Sequence, residues 1–154
     1  MFCIDTSALL HGWRRDYPPD IFSSLWNHLI ELAQAERLFA PDEVLLELER
    51  GGDDIYQWAK ELDYMFLQPN EEVQQVVSQI VESYPLFVPD VSSDGIWADP
   101  YVIALAKVNN AIVVTGEKTV GPEAKRPKIP NICLDLQIDC IDFLQLIRLE
   151  GWKF

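Results

Sequence analysis

Short unbroken apolar runs alternate along this chain with longer segments in which apolar residues recur every three or four positions, the signatures of buried strands and amphipathic helices. The chain opens on the run Met1-Phe2-Cys3-Ile4, which reads as a strand that ends at Asp5-Thr6-Ser7 and hands over to a helix. Pro18-Pro19-Asp20 makes a turn, and Phe22, Leu25, Trp26, Leu29, Ile30 and Ala33 then mark one face of a helix. Leu38-Phe39-Ala40 predicts a second strand. Pro41, Asp42 and Glu43 have the composition of a first helical turn, and that helix runs to Arg50 and stops at Gly51-Gly52. A helix from Asp54 through Leu62 and a third strand at Met65-Phe66-Leu67 follow. Asn70-Glu71-Glu72 starts another helix, whose Val73, Val76, Val77, Ile80, Val81 and Tyr84 form one stripe.

From Pro85 to Gly95 the breakers Pro85, Pro89, Ser92, Ser93, Asp94 and Gly95 predict a loop. Trp97 to Lys107 reads as a helix with Asp99 as its cap and proline at its first position. Ala111-Ile112-Val113-Val114-Thr115 is the clearest strand, apolar enough to be buried on both faces as a central parallel strand is. A polar, basic loop from Thr119 to Pro130 leads to a short helix at Ile132 to Leu136, a last strand at Asp139-Cys140-Ile141 and a closing helix from Phe143 through Leu149. Strands alternating with helices predict an α/β fold, a three-layer α/β/α sandwich around a central, mostly parallel sheet. At 154 residues with no Gly/Ser-rich or Pro-rich linker, the expectation is a single domain over 1–154.

Composition narrows the chemistry. Five Trp, five Tyr and seven Phe describe a packed globular protein rather than a disordered one. No apolar run approaches the roughly 18 residues of a membrane span, and no basic segment leads into a hydrophobic signal region. A cytoplasmic protein without a membrane partner is expected. Cys3, Cys133 and Cys140 are odd in number and lack Cys-x-x-Cys spacing, which favours buried free thiols over a zinc site or a disulfide. His11 and His28 are the only histidines, so a metal would be held by oxygen, which favours Mg²⁺ or Mn²⁺. The formal charge of −13 opposes a polyanionic partner, yet six of the twelve basic residues fall in Arg14-Arg15 and in the run containing Lys118, Lys125, Arg126 and Lys128.

The acids decide which chemistry is available. Asp5 and Glu117 each follow a predicted strand, Asp99 opens a helix, and Glu47 lies on the helix after the second strand. Carboxylates gathered at one sheet edge repel, by roughly 4 kcal/mol for two unit charges about 4 Å apart at an effective dielectric near 20. A divalent cation removes that cost and can activate a water as nucleophile. Plainer readings stand beside this one. Asp5-Thr6-Ser7 and Asp99-Pro100 also have the composition of helix caps, and Thr115 and Ser7 are either strand-end residues or partners of the acids. Glu43, Glu49, Asp53 and Asp54 read as solvated helix charge. Arg14, Arg15 and Lys118 either meet RNA phosphates or are solvated, and Trp97 and Tyr101 either stack a base or pack the core.

The ordered set of acids resembles the PIN domain family, nucleases that include VapC-like toxins. The family's opening strand ends in Asp-x-Ser, here Asp5-Thr6-Ser7. Its second acid precedes an aliphatic residue on a later helix, matched by Glu47 in Pro41-Asp42-Glu43-Val44-Leu45-Leu46-Glu47-Leu48, with Glu43 and Glu49 as neighbours that helical spacing does not separate cleanly. Its third is matched in Ala98-Asp99-Pro100-Tyr101-Val102-Ile103-Ala104-Leu105-Ala106, and its closing Thr-x-Asp in Val113-Val114-Thr115-Gly116-Glu117, where glutamate replaces aspartate. The tail beyond Lys118 is similar to a less characterised PIN-like subgroup rather than to the shortest toxins.

The resemblance implies a Mg²⁺- or Mn²⁺-dependent ribonuclease with Asp5, Glu47, Asp99 and Glu117 as catalytic acids. Of these, Asp5, Asp99 and Glu117 would hold the metal, supported by Ser7 and Thr115. It also implies an RNA substrate, a small antitoxin protein as partner in a toxin–antitoxin pair, and pairing into a homodimer. A haloacid-dehalogenase-type phosphatase needs a second acid two residues after Asp5, where Ser7 stands. The remaining alternative is a weak or inactive PIN-like module that binds protein or nucleic acid, which the charge of −13 and the glutamate at 117 keep open.

Overall fold

In a computed structural model that describes residues 1–52, 54–88 and 97–154, the short apolar runs pair into one sheet. Its strands are β1 (Phe2–Ile4), β2 (Leu38–Pro41), β3 (Phe66–Leu67), β4 (Ile112–Val114) and β5 (Cys140–Ile141). They lie in the order β3-β2-β1-β4-β5 and every pairing is parallel, so the sheet expected to be mostly parallel is wholly so among the described strands. Cys3 pairs with Phe39 on one side and Val113 on the other, which buries β1 between apolar neighbours and leaves its thiol inaccessible. The chain builds outward from β1 to β3, then returns to the far side of β1 as β4. Adjacent strands whose connections run in opposite directions open a crevice at their C-terminal ends, where open α/β sheets bind ligands.

Helices cover both faces, giving the three-layer α/β/α sandwich. They are α1 (Thr6–His11), α2 (Ser23–Gln34), α3 (Asp42–Gly51), α4 (Asp54–Lys60), α5 (Glu71–Ser83), α6 (Asp99–Asn109), α7 (Ile129–Asp135) and α8 (Phe143–Glu150). On one face α6 lies across β1, β2 and β4 and is flanked by α5 and α7. Val102, Ile103, Ala104, Leu105 and Ala106 are all buried, and the small alanines let this helix approach the sheet closely. On the other face an aromatic cluster joins the helices. Trp26 of α2 meets Trp13 at 4.9 Å, Trp58 of α4 at 5.1 Å and Phe143 of α8 at 6.0 Å between ring centres.

Local signals act where the sequence carries them. Asn70 caps α5 by accepting from the Val73 N–H, and Gly52 ends α3 in the left-handed conformation at φ 68°. A π-helical turn over Gly12–Asp16 continues α1 and carries Arg14 and Arg15, which no periodicity announced. The cysteines are free, with Cys3 and Cys133 buried and Cys140 half-buried. The expected loop from Pro85 to Gly95 lies outside the described residues from Pro89 onward, as does Asp53. Among the described residues no helix is long and apolar enough to cross a membrane.

One expected cap is corrected. Ala98, not Asp99, occupies the N-cap position of α6, and Asp99 is its first helical residue. A capping side chain must fold back onto its own helix. Asp99 is one position too late to do so, and its carboxylate is left for other partners.

Candidate metal centre

Asp5 follows β1 directly and is buried, at 1% exposure. A buried carboxylate needs hydrogen-bond donors, and Asp5 has three. The Ala8 N–H donates to Oδ1 at 2.8 Å, so Asp5 does cap α1. The Ser7 hydroxyl reaches both oxygens at 2.9 and 2.8 Å, and the Thr115 hydroxyl donates to Oδ2 at 2.6 Å. Each hydroxyl also accepts from the turn after β4, Ser7 from the Gly116 N–H at 2.9 Å and Thr115 from the Glu117 N–H at 3.1 Å. With that lone pair engaged, each hydroxyl proton is directed at Asp5. A carboxylate offers about four acceptor sites, so three donors leave room for one further partner.

That partner would lie toward Asp99 and Glu117, because one carboxylate oxygen from each of Asp5, Asp99 and Glu117 lies within 4.8 Å of the others. Glu117 is steered by the Ile129 N–H, which donates to Oε2 at 3.0 Å. Among the described residues no hydrogen bond reaches the Asp99 carboxylate. Around a six-coordinate Mg²⁺ at about 2.1 Å, adjacent ligands stand roughly 3.0 Å apart and opposed ones roughly 4.2 Å, so three oxygens within 4.8 Å of one another would draw inward to hold an ion. Hard, oxygen-only ligands suit such a cation, and the cluster can bind a metal ion. Glu47 stands outside this trio. It accepts from the Thr6 hydroxyl at 2.7 Å, yet it is close enough for its charge to act on Asp99.

The crowding shows in the proton affinities. Burial raises Asp5 to about 6 against the pull of its three donors, with the Glu117 charge adding to the rise. Burial, then the charges of Glu117, Asp5 and Glu47, raise Asp99 to about 8, opposed by Lys128. Glu47 is raised as well, chiefly by burial. Without metal the folded chain therefore holds protons that the unfolded chain releases at lower pH. Its stability should fall as pH rises from the ordinary aspartate value near 4 to about 8, and level off above. Thermal melts in chelator from pH 4.5 to 8.5 should show that decline; a melting temperature that rises over this range would contradict it.

The other predicted residues divide. Ser7 and Thr115 bind Asp5 directly. Lys118 is exposed just past Glu117. Arg15 is paired with its neighbour Asp16 at 2.8 Å, and the Arg14 guanidinium lies near Gly51 at the end of α3. Glu43, expected to be solvated, is instead half-buried with an Oε2 that has no partner among the described residues, and burial followed by the adjacent Asp42 carboxyl raises it to about 7. Trp97 packs against Phe87 with ring centres 6.1 Å apart. Thr6, Gly116, Lys128 and Asn131 gave no separable signal as site residues. Gly116 is required by space, because a Cβ there would stand 2.5 Å from His11 Nδ1 and 3.1 Å from the Ser7 carbonyl oxygen.

Fold and site together define an α/β/α protein with a carboxylate cluster at the switch point of a parallel sheet, the cluster being able to bind a metal ion. In sequence the chain belongs to the family described as "Domain of unknown function (DUF4411)", whose family model matches residues 2–154. No curated protein matches it in sequence. In structure it is similar to the crystal structure of PAE2754 from Pyrobaculum aerophilum, at 17% identity and a TM-score of 0.46 over 98% of this chain and 90% of that one.

Proposed function

We propose that this protein is a Mg²⁺- or Mn²⁺-dependent ribonuclease of the PIN kind, hydrolysing phosphodiester bonds with an activated water. The observation that carries the reading is the convergence of Asp5, Asp99 and Glu117 within 4.8 Å at the switch point, with Asp99 driven to about 8 by burial and by its acidic neighbours. Acids held together against their own repulsion suit a site whose working state contains a cation. Bound there, Mg²⁺ or Mn²⁺ would lower the pKa of a water ligand and offset charge on the phosphoryl oxygens. The chain's own groups do the rest. The Ser7 and Thr115 hydroxyls fix the Asp5 carboxylate, and the Ile129 N–H fixes Glu117. Glu47, held by Thr6, would accept the proton shed by the attacking water as the phosphorus–oxygen ester bond breaks and the leaving oxygen takes a proton from solvent.

Calorimetric titration with Mn²⁺, alongside cleavage of a mixed RNA pool, tests this. Replacing a residue that only supports a metal ligand typically costs about 10–100-fold, so Asp5→Asn should lower metal affinity and cleavage by more than about 100-fold. If the folded wild-type protein binds no Mn²⁺ at millimolar concentration, the nuclease reading fails. A partner-binding module then takes its place, the reading that the net charge of −13 favours.

A further inference from the structure

Past Glu117 the chain leaves the sheet edge as a loop that returns at α7, and the two ends of that loop are pinned together. Asn131, in the first turn of α7, accepts at Oδ1 from the Val120 and Lys128 N–H groups at 3.1 and 3.0 Å. Its Nδ2 donates to the Val120 carbonyl at 3.0 Å. The Ile129 N–H, next to Lys128, is the group that binds Glu117. The loop over residues 118–128 is thus closed at its neck by one amide side chain and shares that neck with a carboxylate of the candidate metal centre.

Its charge is opposite to that of the protein. The loop holds Lys118, Lys125, Arg126 and Lys128 against the single acid Glu123, in a chain whose formal charge is −13. All four cations are exposed, and none is in an ion pair among the described residues. Lys128 is near enough to the acids for its charge to act on Asp99. A cluster of three carboxylates with one divalent cation still carries a net negative charge and repels a nucleic-acid backbone. Cations fixed beside it are what would let a polyanion approach.

We propose that the 118–128 loop is the seat of the RNA backbone, with Lys128 taking the phosphate beside the one being cut and Lys125 and Arg126 taking its neighbours. The choice of RNA rests on the ribonuclease reading above; the loop's role as a phosphate seat rests on its own charge and geometry. The experiment compares the full chain with Lys128→Gln, with the double variant Lys125→Gln/Arg126→Gln, and with Lys107→Gln. Lys107, near the C-terminal end of α6, lies at the opposite edge of the sheet, so the last variant changes net charge without touching the loop. Binding of a fluorescein-labelled, mixed-sequence single-stranded RNA is followed by anisotropy across a salt series, and Mn²⁺ affinity is measured on the same proteins.

Removing one cation that neutralises a phosphate should lower the slope of log affinity against log salt by about 0.7, so Lys128→Gln should reduce it by about 0.7 and the double variant by about 1.4. Lys107→Gln should leave the slope unchanged, and Mn²⁺ affinity should hold in it and in the Lys125→Gln/Arg126→Gln variant. Loop variants indistinguishable from Lys107→Gln, or a wild-type protein that binds Mn²⁺ but no RNA, would overturn the proposal. RNA held through the loop by a protein that binds no Mn²⁺ would leave it standing while removing the nuclease reading.

Discussion

Asp99→Asn is expected to abolish Mn²⁺ binding and, in the same protein without metal, to raise the melting temperature at pH 8. The two effects have one cause. Asp99 lacks a hydrogen bond among the described residues, is half-buried, and faces Glu117, Asp5 and Glu47, which together with burial raise its proton affinity to about 8. Asparagine keeps the shape, removes the charge and ends the repulsion. Each pKa unit corresponds to about 1.4 kcal/mol. Water reaching a half-buried site screens part of this, and a first-turn aspartate loses its favourable interaction with the helix dipole, leaving a gain on the order of 1–2 kcal/mol. For a chain of this size that is a rise of about 2–8 °C. At pH 5 the gain should vanish, since wild-type Asp99 is already protonated there. A variant that melts lower than wild type at pH 8 in chelator would refute the electrostatic account, and one that retains wild-type Mn²⁺ affinity would refute the metal centre.

Gly116→Ala should be nearly as damaging to the site while adding only one methyl group. Its φ is not in the left-handed region, so the obstacle is space alone: the new carbon would stand 2.5 Å from His11 Nδ1 and 3.1 Å from the Ser7 carbonyl. The turn must shift, and it carries the two N–H groups that direct the Ser7 and Thr115 hydroxyls onto Asp5, as well as Glu117 itself. Overpacking of this kind costs about 1–3 kcal/mol of stability, and disturbed support of a ligand costs about 10–100-fold in metal affinity. Because the nearest obstacle is an imidazole, His11→Ala in the same chain should restore part of both losses, read by calorimetry and thermal melts as a double-mutant cycle. No recovery in the double variant would assign the damage to the Ser7 backbone instead.

The strands and helices were legible because each is announced locally: continuous apolar runs for β1, β2 and β4, a valine and isoleucine stripe for α5, and Gly51-Gly52 at the end of α3. Asp5, Asp99 and Glu117 were legible for a related reason, since each stands at the end of a strand or the start of a helix. What joins them was not. The Thr6–Glu47 bond spans 41 residues and the Thr115–Asp5 bond 110, and no local rhythm encodes which hydroxyl finds which carboxylate. Helical spacing could not separate Glu47 from Glu43, because both lie on α3. The difference is tertiary, Glu47 reaching Thr6 while Glu43 turns into a half-buried site with an orphaned oxygen. Reading Asp99 as a cap failed by one position, since Ala98 takes the N-cap of α6 and Asp99 its first turn.

The central place of β1 in the sheet also governs when the acidic site can come into being. On a ribosome β1 emerges before its partners, and β2 can flank it early, but its other edge waits for β4 at Ile112–Val114. Asp5 receives the Thr115 hydroxyl only after another 110 residues have been made, and Glu117 is held only once Ile129 has followed. A truncated or stalled product ending before β4 carries Asp5 and Asp99 without Glu117. Synthesis itself therefore delays assembly of the three-carboxylate site until the strands on both sides of β1 and the start of α7 have all left the ribosome.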